Sequence, residues 1–154
     1  INTNPIQKIW EQMNLAYEYD ANKIWIVNVG DLKPMEFPIE FFLDYAWTPD
    51  AIPAEKLKEY GIKWATKQFG DSYAVEIAEL IELYSKYNGR VKPELLDANT
   101  YSLTHYNEFE TVTQDYQNLA KRALELYENI PAKQKDAYYQ LVLHPVTASA
   151  NLYE

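Results

Sequence analysis

The chain has 154 residues, of which 47% are hydrophobic and 24% charged, a balance typical of a globular protein with one core or little more. Its 23 acidic residues outnumber its 14 basic ones, and the net charge of −9 disfavours nucleic acid and anionic membranes as partners. The absence of cysteine excludes disulfides and zinc–thiolate sites. No apolar run approaches the ~20 residues that span a bilayer.

The first residues predict an amphipathic helix and suggest a chain cut from a longer protein. The sequence begins at Ile1 and not at methionine, and Asn4 and Pro5 lead directly into a helical pattern. Apolar side chains spaced three and four residues apart then predict one buried helix face. They are Ile6, Ile9, Trp10, Met13 and Tyr17.

The segment from Lys23 to Val29 contains the one strand that the sequence predicts. It reads Lys-Ile-Trp-Ile-Val-Asn-Val, an apolar run without alternation that is typical of a strand buried on both faces of a parallel sheet. Such a strand needs neighbours to accept and donate its backbone hydrogen bonds. We therefore expect its partner strands to lie outside this sequence.

Two regions follow from these patterns, and the predicted class is mainly α. Residues 37–47 resume helical spacing with Pro38 near the start, so residues 1–47 predict a helix–strand–helix unit. Residues 48–154 predict a bundle of four or five helices. These helices are expected at residues 54–69, 71–87 and 105–128 and from Pro131 onward. Pro145 is expected to kink or end the last of them.

Polar side chains are concentrated directly after the predicted strand, where parallel α/β enzymes carry their reactive groups. Asn28 interrupts the apolar strand, and burying an amide without partners costs about 1–3 kcal/mol, so it contacts either a ligand hydroxyl or a neighbouring backbone group. Asp31 and Lys33 suit an anionic-sugar site, although a turn and a solvated lysine are the commoner explanation. Glu36 is expected to interact with a helix N-terminus.

The remaining candidates predict structure and not chemistry. No metal-ligand spacing surrounds His105 or His144, so neither a metal site nor a cofactor is predicted. The 14 tyrosines could stack on sugars, but those at helical spacing, such as Tyr84 and Tyr116, are predicted to be core residues. Thr104 and Asn107 are candidate caps for the helix that begins near residue 105. Their side-chain oxygens are suited to free amides at a helix start.

The strand and the residues after it resemble a known family. Residues 24–38 read Ile-Trp-Ile-Val-Asn-Val-Gly-Asp-Leu-Lys-Pro-Met-Glu-Phe-Pro, and with residues 41–47 they closely resemble the glycoside hydrolase family 115 xylan α-glucuronidases. Residues 100–108 are also similar to that family. Its members combine a (β/α)₈ catalytic barrel with a helical-bundle domain, and the resemblance places residues 4–47 as helix, last strand and last helix of the barrel.

The resemblance implies an activity and a set of partners. Such enzymes remove glucuronic acid or its 4-O-methyl ether from xylan with inversion, using two carboxyl groups ~6.5–9.5 Å apart. The acid and base would come from earlier barrel strands, so no catalytic residue is expected here, whereas Asn28 would bind substrate and Asp31 and Lys33 match the same motif. Expected partners are glucuronoxylan or its oligosaccharides, the rest of the barrel and a second copy of the chain. The parent enzyme is expected to be bacterial and exported.

A helical interaction or scaffolding module without a catalytic role is the competing hypothesis. In that case the strand would dock on a partner sheet and contact no carbohydrate. The upstream sequence separates the two hypotheses, because the enzyme requires seven preceding barrel strands there.

Overall fold

The computed structural model describes residues 3–153 and is built from helices, short 3₁₀ turns and loops, so the mainly α class is confirmed. The α-helices are α1 (Ile6–Glu18), α2 (Glu36–Trp47), α3 (Leu57–Phe69), α4 (Ala74–Asn88), α5 (Glu108–Asn129), α6 (Lys135–Tyr138) and α7 (His144–Asn151). The chain divides into two compact units between Ala78 and Glu79. The domain boundary expected at residues 47 and 48 stays a prediction. No helix within the described range combines the length and apolar character that crossing a membrane requires.

The segment Lys23–Val29 is not a strand, and the prediction of a strand buried on both faces is wrong for the described chain. The segment has no regular secondary structure, and Ile24 and Ile26 are 80% and 91% exposed. Between residues 3 and 153, no backbone–backbone hydrogen bond involves residues 23–29. A strand exists only by pairing, and this part of the chain offers no second strand to pair with.

The first unit has an aromatic core contributed by α1, α2 and the start of α3. Its buried members are Ile6, Phe41, Tyr45 and Leu57. Tyr45 has no exposed surface, and its hydroxyl donates to Asn14 Oδ1 at 2.9 Å. The Tyr45 ring stacks against Phe41 at 6.1 Å and against Trp25 at 6.2 Å between centroids. One side chain therefore joins α1, α2 and the loop between them.

A polar seam holds α2 against α3. Glu40 accepts hydrogen bonds from the Trp64 indole at 3.0 Å and from Lys67 Nζ at 2.6 Å. One helical turn further on, Asp44 accepts from the Tyr60 hydroxyl at 2.8 Å. Burial raises the pKa of Tyr60, and the bond to Asp44 raises it further, while the bond to Glu40 raises the pKa of Lys67. The seam therefore fixes the rotation of α2 about its own axis.

The start of α5 differs from the sequence prediction. Asn107 precedes the helix in a left-handed conformation with φ of 51°, and it makes no side-chain cap. A normal cap has an extended backbone, which aims its side chain at the free amides. Instead, Ser102 Oγ accepts from the amides of Thr104 and His105 at 3.3 and 3.0 Å, and Glu108 Oε2 accepts from the Ser102 amide at 2.8 Å. The predicted cap at Asn107 is therefore wrong.

Tyrosines form the centre of the second unit. Tyr84 and Tyr116 are 8% and 1% exposed, so the prediction that they are core residues is confirmed. The Tyr116 ring stacks on Tyr153 at 4.4 Å and meets Tyr87 edge to face at 5.6 Å. Tyr101 lies against Tyr153 at 6.1 Å. Burial, followed by the nearby Tyr153, raises the pKa of Tyr101 to about 12, and burial raises the pKa of Tyr116 as well.

The last helical stretch does not end at Pro145. A π-helical segment, Tyr139–Leu143, joins α6 to α7, and Pro145 lies in the first turn of α7. Proline has no amide hydrogen and collides with the carbonyl four residues earlier, here that of Leu141. Wider π-type bonding around Leu141 accommodates this defect without breaking the helix.

Asn88 is a buried polar residue at the end of α4. It is 2% exposed, its Nδ2 donates to the Tyr84 carbonyl at 2.8 Å, and its Oδ1 accepts from Ser149 Oγ at 3.3 Å. Asn129 ends α5 with the same local bond, to the Glu125 carbonyl at 2.7 Å, but it is exposed. The two asparagines therefore differ in burial more than in local geometry.

We expect Asn88→Ala to lower the free energy of unfolding by about 1–3 kcal/mol, because it leaves the buried Ser149 hydroxyl without its acceptor. The matched change Asn129→Ala should cost less than about 0.5 kcal/mol beyond its effect on helix propensity. Urea denaturation of both variants provides the measurement. Equal losses would show that burial of Asn88 is unimportant.

Stability should also fall at high pH because of the tyrosine centre. A tyrosine with a folded pKa near 12 and an unfolded pKa of about 10 stabilises the fold fully below about pH 10. That contribution is lost as the pH rises through the folded value. Tyr101→Phe should therefore make the decline in unfolding free energy shallower above about pH 10, whereas Tyr106→Phe, at a 99% exposed position, should not. Urea denaturation across this pH range gives the unfolding free energies. Parallel declines in the wild type and both variants would contradict the prediction.

Candidate functional site

The three predicted substrate residues lie on the loop that precedes α2. Asn28, Asp31 and Lys33 are all exposed, and no hydrogen bond joins any two of them. The loop enters α2 through a turn in which the Met35 amide donates to the Leu32 carbonyl at 3.2 Å. The loop therefore presents an amide, a carboxylate and an ammonium group to solvent beside one helix N-terminus.

Asn28 makes the local backbone bond that the sequence left open as one alternative. Its Oδ1 accepts from the Gly30 amide at 3.0 Å, and Gly30 has a φ of 71°, a left-handed conformation that favours glycine. Asn28 is exposed, so the expected cost of burying its amide does not arise in this chain. Its Nδ2 group makes no hydrogen bond with residues 3–153 and can donate to a ligand. The substrate role of Asn28 stays a prediction.

Lys33 and Asp31 differ in their contacts. Lys33 Nζ pairs with Glu36 Oε1 at 3.1 Å, and the two side chains are 72% and 32% exposed. Glu36 is the first residue of α2, where its negative charge complements the positive end of the helix dipole, as the sequence predicted. Exposed pairs of this kind contribute little stability, so Lys33 can exchange Glu36 for a ligand carboxylate. Within residues 3–153, Asp31 takes part in no ion pair.

A second feature of the first unit, which sequence reasoning missed, is a cleft of about 410 Å³ at the other end of α2. Its lining combines aromatic, amide and ammonium groups: Tyr17, Asn22, Lys23, Trp25, Ala46, Trp47 and Pro49. The Trp47 side chain is 88% exposed. Periodicity could not reveal this site, because it assigns aromatic residues to a core and does not show which of them a helix end leaves in solvent.

One lining residue of the cleft, Tyr17, is bonded to a carboxylate that is not itself part of the lining. The Tyr17 hydroxyl donates to Asp50 Oδ2 at 3.3 Å, and the negative charge of Asp50 raises the pKa of Tyr17. Lys23 forms no ion pair with any residue from 3 to 153. The cleft can therefore offer both donors and acceptors to a ligand.

The second unit contains a cavity of about 420 Å³ with a mostly apolar lining. Its lining residues are Leu96, Asp97, Ala98, Tyr101, Leu103, Phe109, Leu152 and Tyr153. Asp97 is occupied locally, since its Oδ1 accepts from the Asn99 amide at 2.7 Å and from Thr100 Oγ1 at 3.2 Å. The cavity therefore has no carboxylate pair or cation for bond-breaking chemistry.

Both histidines have local contacts. His105 Nδ1 lies 3.1 Å from Ser102 Oγ and 3.0 Å from Thr104 Oγ1, and the His144 ring lies against Tyr139 at 5.8 Å. Among the described residues, no three His, Asp or Glu side chains are grouped so as to hold a metal ion.

Comparison with known proteins bears on the first unit above all. The family model for Glycosyl hydrolase family 115 matches residues 1–95, more than half of the chain. This range contains the loop with Asn28, Asp31 and Lys33, and it confirms the resemblance that the sequence suggested. The similarity expected at residues 100–108 lies outside the matched range. No curated protein matches the chain.

Proposed function

The chain belongs to glycosyl hydrolase family 115, and we propose that it is part of a xylan α-1,2-glucuronidase. Such an enzyme hydrolyses the bond between xylan and its glucuronic or 4-O-methylglucuronic acid side chains with inversion. The observation that carries the proposal is the family match over residues 1–95, which includes the polar loop before α2. Because xylan is a polymer that does not enter cells, the proposal assigns the parent enzyme to the periplasm or the cell exterior.

In this proposal the loop binds the uronic acid. The Lys33 ammonium group exchanges Glu36 for the sugar carboxylate, and the Nδ2 group of Asn28 donates to a sugar hydroxyl. The carboxylate of Asp31 accepts from another hydroxyl. None of these groups protonates the leaving oxygen or activates water, so the acid and base belong to other parts of the parent enzyme. The chain supplies binding groups and not the catalytic pair.

The unpaired segment at residues 23–29 supports an origin in a barrel. Its apolar sequence is that of a buried parallel strand, yet Ile24 and Ile26 are almost fully exposed in this chain. Pairing with neighbouring barrel strands would satisfy its backbone groups and cover both side chains. We therefore assign residues 4–47 to the end of a (β/α)₈ barrel, followed by a helical domain.

The parent enzyme carrying Asn28→Ala should show a kcat/KM at least tenfold lower on glucuronoxylo-oligosaccharides. A hydrogen bond that strengthens in the transition state contributes about 1.4 kcal/mol or more, which corresponds to this factor. The matched variant Asn99→Ala, which changes an exposed loop asparagine in the second unit, should retain full activity. Released uronic acid is the quantity measured. The 154-residue chain alone should release none, because it lacks the acid and base.

Full activity of the Asn28→Ala enzyme would contradict the substrate role, as would loss of activity that circular dichroism traces to unfolding. Turnover by the 154-residue chain above a blank would contradict the claim that the acid and base belong to other parts of the parent enzyme. A parent enzyme without any release of uronic acid would refute the proposed function itself.

The exposed segment also predicts self-association of the isolated chain. An extended apolar segment with free backbone groups pairs readily with a second copy. Ile26→Lys should reduce the association, since a charge at a strand edge opposes pairing, whereas Leu124→Lys on α5, also at an exposed position, should not. Sedimentation velocity over a concentration series provides the measurement. A monomeric wild-type chain at every concentration would rule out this contact.

A further inference from the structure

The sequence contains one Asn-Gly pair, formed by Asn88 at the end of α4 and by Gly89 directly after it. A backbone nitrogen can attack the carboxamide carbon of the asparagine before it, and glycine hinders this attack least because it has no side chain. Water is the other reactant. The pair is therefore a candidate site of spontaneous deamidation, a covalent modification that needs no enzyme.

The reaction exchanges the amide of Asn88 for a carboxylate. The Gly89 nitrogen loses its proton to hydroxide and bonds to Cγ of Asn88, and the Cγ–Nδ2 bond then breaks and releases ammonia, which takes up a proton from water. The cyclic imide that remains adds water across either of the carbon–nitrogen bonds of the ring. One opening gives an aspartate, and the other gives an isoaspartate, whose main chain runs through the former side chain. Both products carry one additional negative charge.

The folded chain holds both reacting groups in other bonds. The Gly89 amide donates to the Ser85 carbonyl at 2.9 Å. The Asn88 carboxamide is held at both ends, by the Tyr84 carbonyl at 2.8 Å and by Ser149 Oγ at 3.3 Å. Attack requires the nitrogen to lose its proton and the carboxamide to turn toward it, which together break these three hydrogen bonds. Since Asn88 is also only 2% exposed, the reaction has to wait until this end of α4 opens.

The products do not fit the place that the asparagine leaves. An ionised carboxylate donates no hydrogen bond, so at position 88 it would face the Tyr84 carbonyl without a hydrogen between the two oxygens. Burying its charge against one hydroxyl, that of Ser149, is unfavourable. Isoaspartate also lengthens the main chain at the last residue of α4. A chain that deamidates while it is open is therefore less stable when it folds again.

We propose that the Asn-Gly pair is a modification site that the fold protects, and that its deamidation makes opening of α4 irreversible. Each opening exposes the pair until the end of α4 closes again. The modified fraction then grows at a rate set by the population of open molecules as well as by the chemistry of the pair. The site thus limits the lifetime of the folded protein, independently of the proposed enzymatic activity.

The test compares deamidation of the 154-residue chain in mildly alkaline buffer with and without urea above the unfolding midpoint. Peptide mass spectrometry measures the converted fraction of each asparagine over time. Conversion of Asn88 should be at least tenfold faster in urea, the factor that an opening free energy of about 1.4 kcal/mol gives. Asn22 is already exposed in the folded chain and should convert at the same rate in both solutions.

Three variants locate the protection. Ser149→Ala removes the hydroxyl that holds the carboxamide and should speed conversion of Asn88 about fivefold in native buffer, the factor for about 1 kcal/mol, but not in urea. Thr147→Ala, at an exposed position on the same helix, should change neither rate. Gly89→Ala places a methyl group beside the reacting nitrogen and should slow conversion in urea severalfold. Circular dichroism checks that each variant is folded in native buffer.

Three results would overturn the protection: equal conversion of Asn88 in both solutions, no conversion in urea, or equal native rates for the Ser149→Ala and wild-type chains. Irreversibility has its own measurement. Anion exchange separates the converted chain by its additional negative charge, and this chain should unfold at a lower urea concentration than the unconverted one. An unchanged midpoint would show that the modified chain regains the native state, and would overturn the claim that opening becomes irreversible.

Discussion

The first unit depends on the buried Tyr45. Its ring is packed between Phe41 and Trp25 while its hydroxyl reaches Asn14 on α1, so a single side chain fixes both α1 and the following loop against α2. The hydroxyl has to be paired, because an unsatisfied polar group at a fully buried position would cost about 1–3 kcal/mol. Burial raises the pKa of Tyr45, and the negative charges of Asp50 and Glu18 raise it further, so it stays a neutral donor. The contacts of Tyr45 therefore help to position both the loop before α2 and the cleft at its other end.

Both units have cores that are rich in aromatic side chains. Aromatic rings fill both interiors, and in each a few polar atoms at the ends of buried side chains find partners across helices. Tyr138 illustrates this in the second unit, because its fully buried hydroxyl donates to the Ala123 carbonyl at 2.9 Å. Rings supply a large apolar area for each residue ordered, and their polar ends define which helices pair. An aromatic core with polar ends therefore restricts which helices can pack together more than an aliphatic core would.

Local signals allowed much of the helical fold to be predicted from the sequence. α2 begins at Glu36, one residue before the expected range of 37–47. α3 ends as expected before Gly70, where φ is 76°. The prediction of a strand at residues 23–29 failed because strand formation needs a partner strand, which the sequence of the segment alone does not supply. The apolar pattern predicts a buried segment, whereas Ile24 and Ile26 are exposed in the described chain.

The candidate sites also differ in how far the sequence could predict them. The loop with Asn28 was accessible to sequence reasoning because its polar residues are contiguous, and the local bond to Gly30 was among the expected alternatives. The cleft at Trp47 was not accessible, since its lining joins residues from three separate segments. The turn at Ser102 was missed because its bonds to the amides of Thr104 and His105 lie before the helix, where helical spacing gives no signal.

The seam between α2 and α3 has a consequence for the loop that carries Lys33. Because Glu40 and Asp44 bond α2 to α3, α2 cannot turn about its own axis without breaking three side-chain hydrogen bonds. Its 12 residues correspond to a length of about 18 Å. Lys33, which contacts the first residue of α2, and Trp47, its last residue, therefore stay at opposite ends of a spacer whose length no ligand at the loop can change.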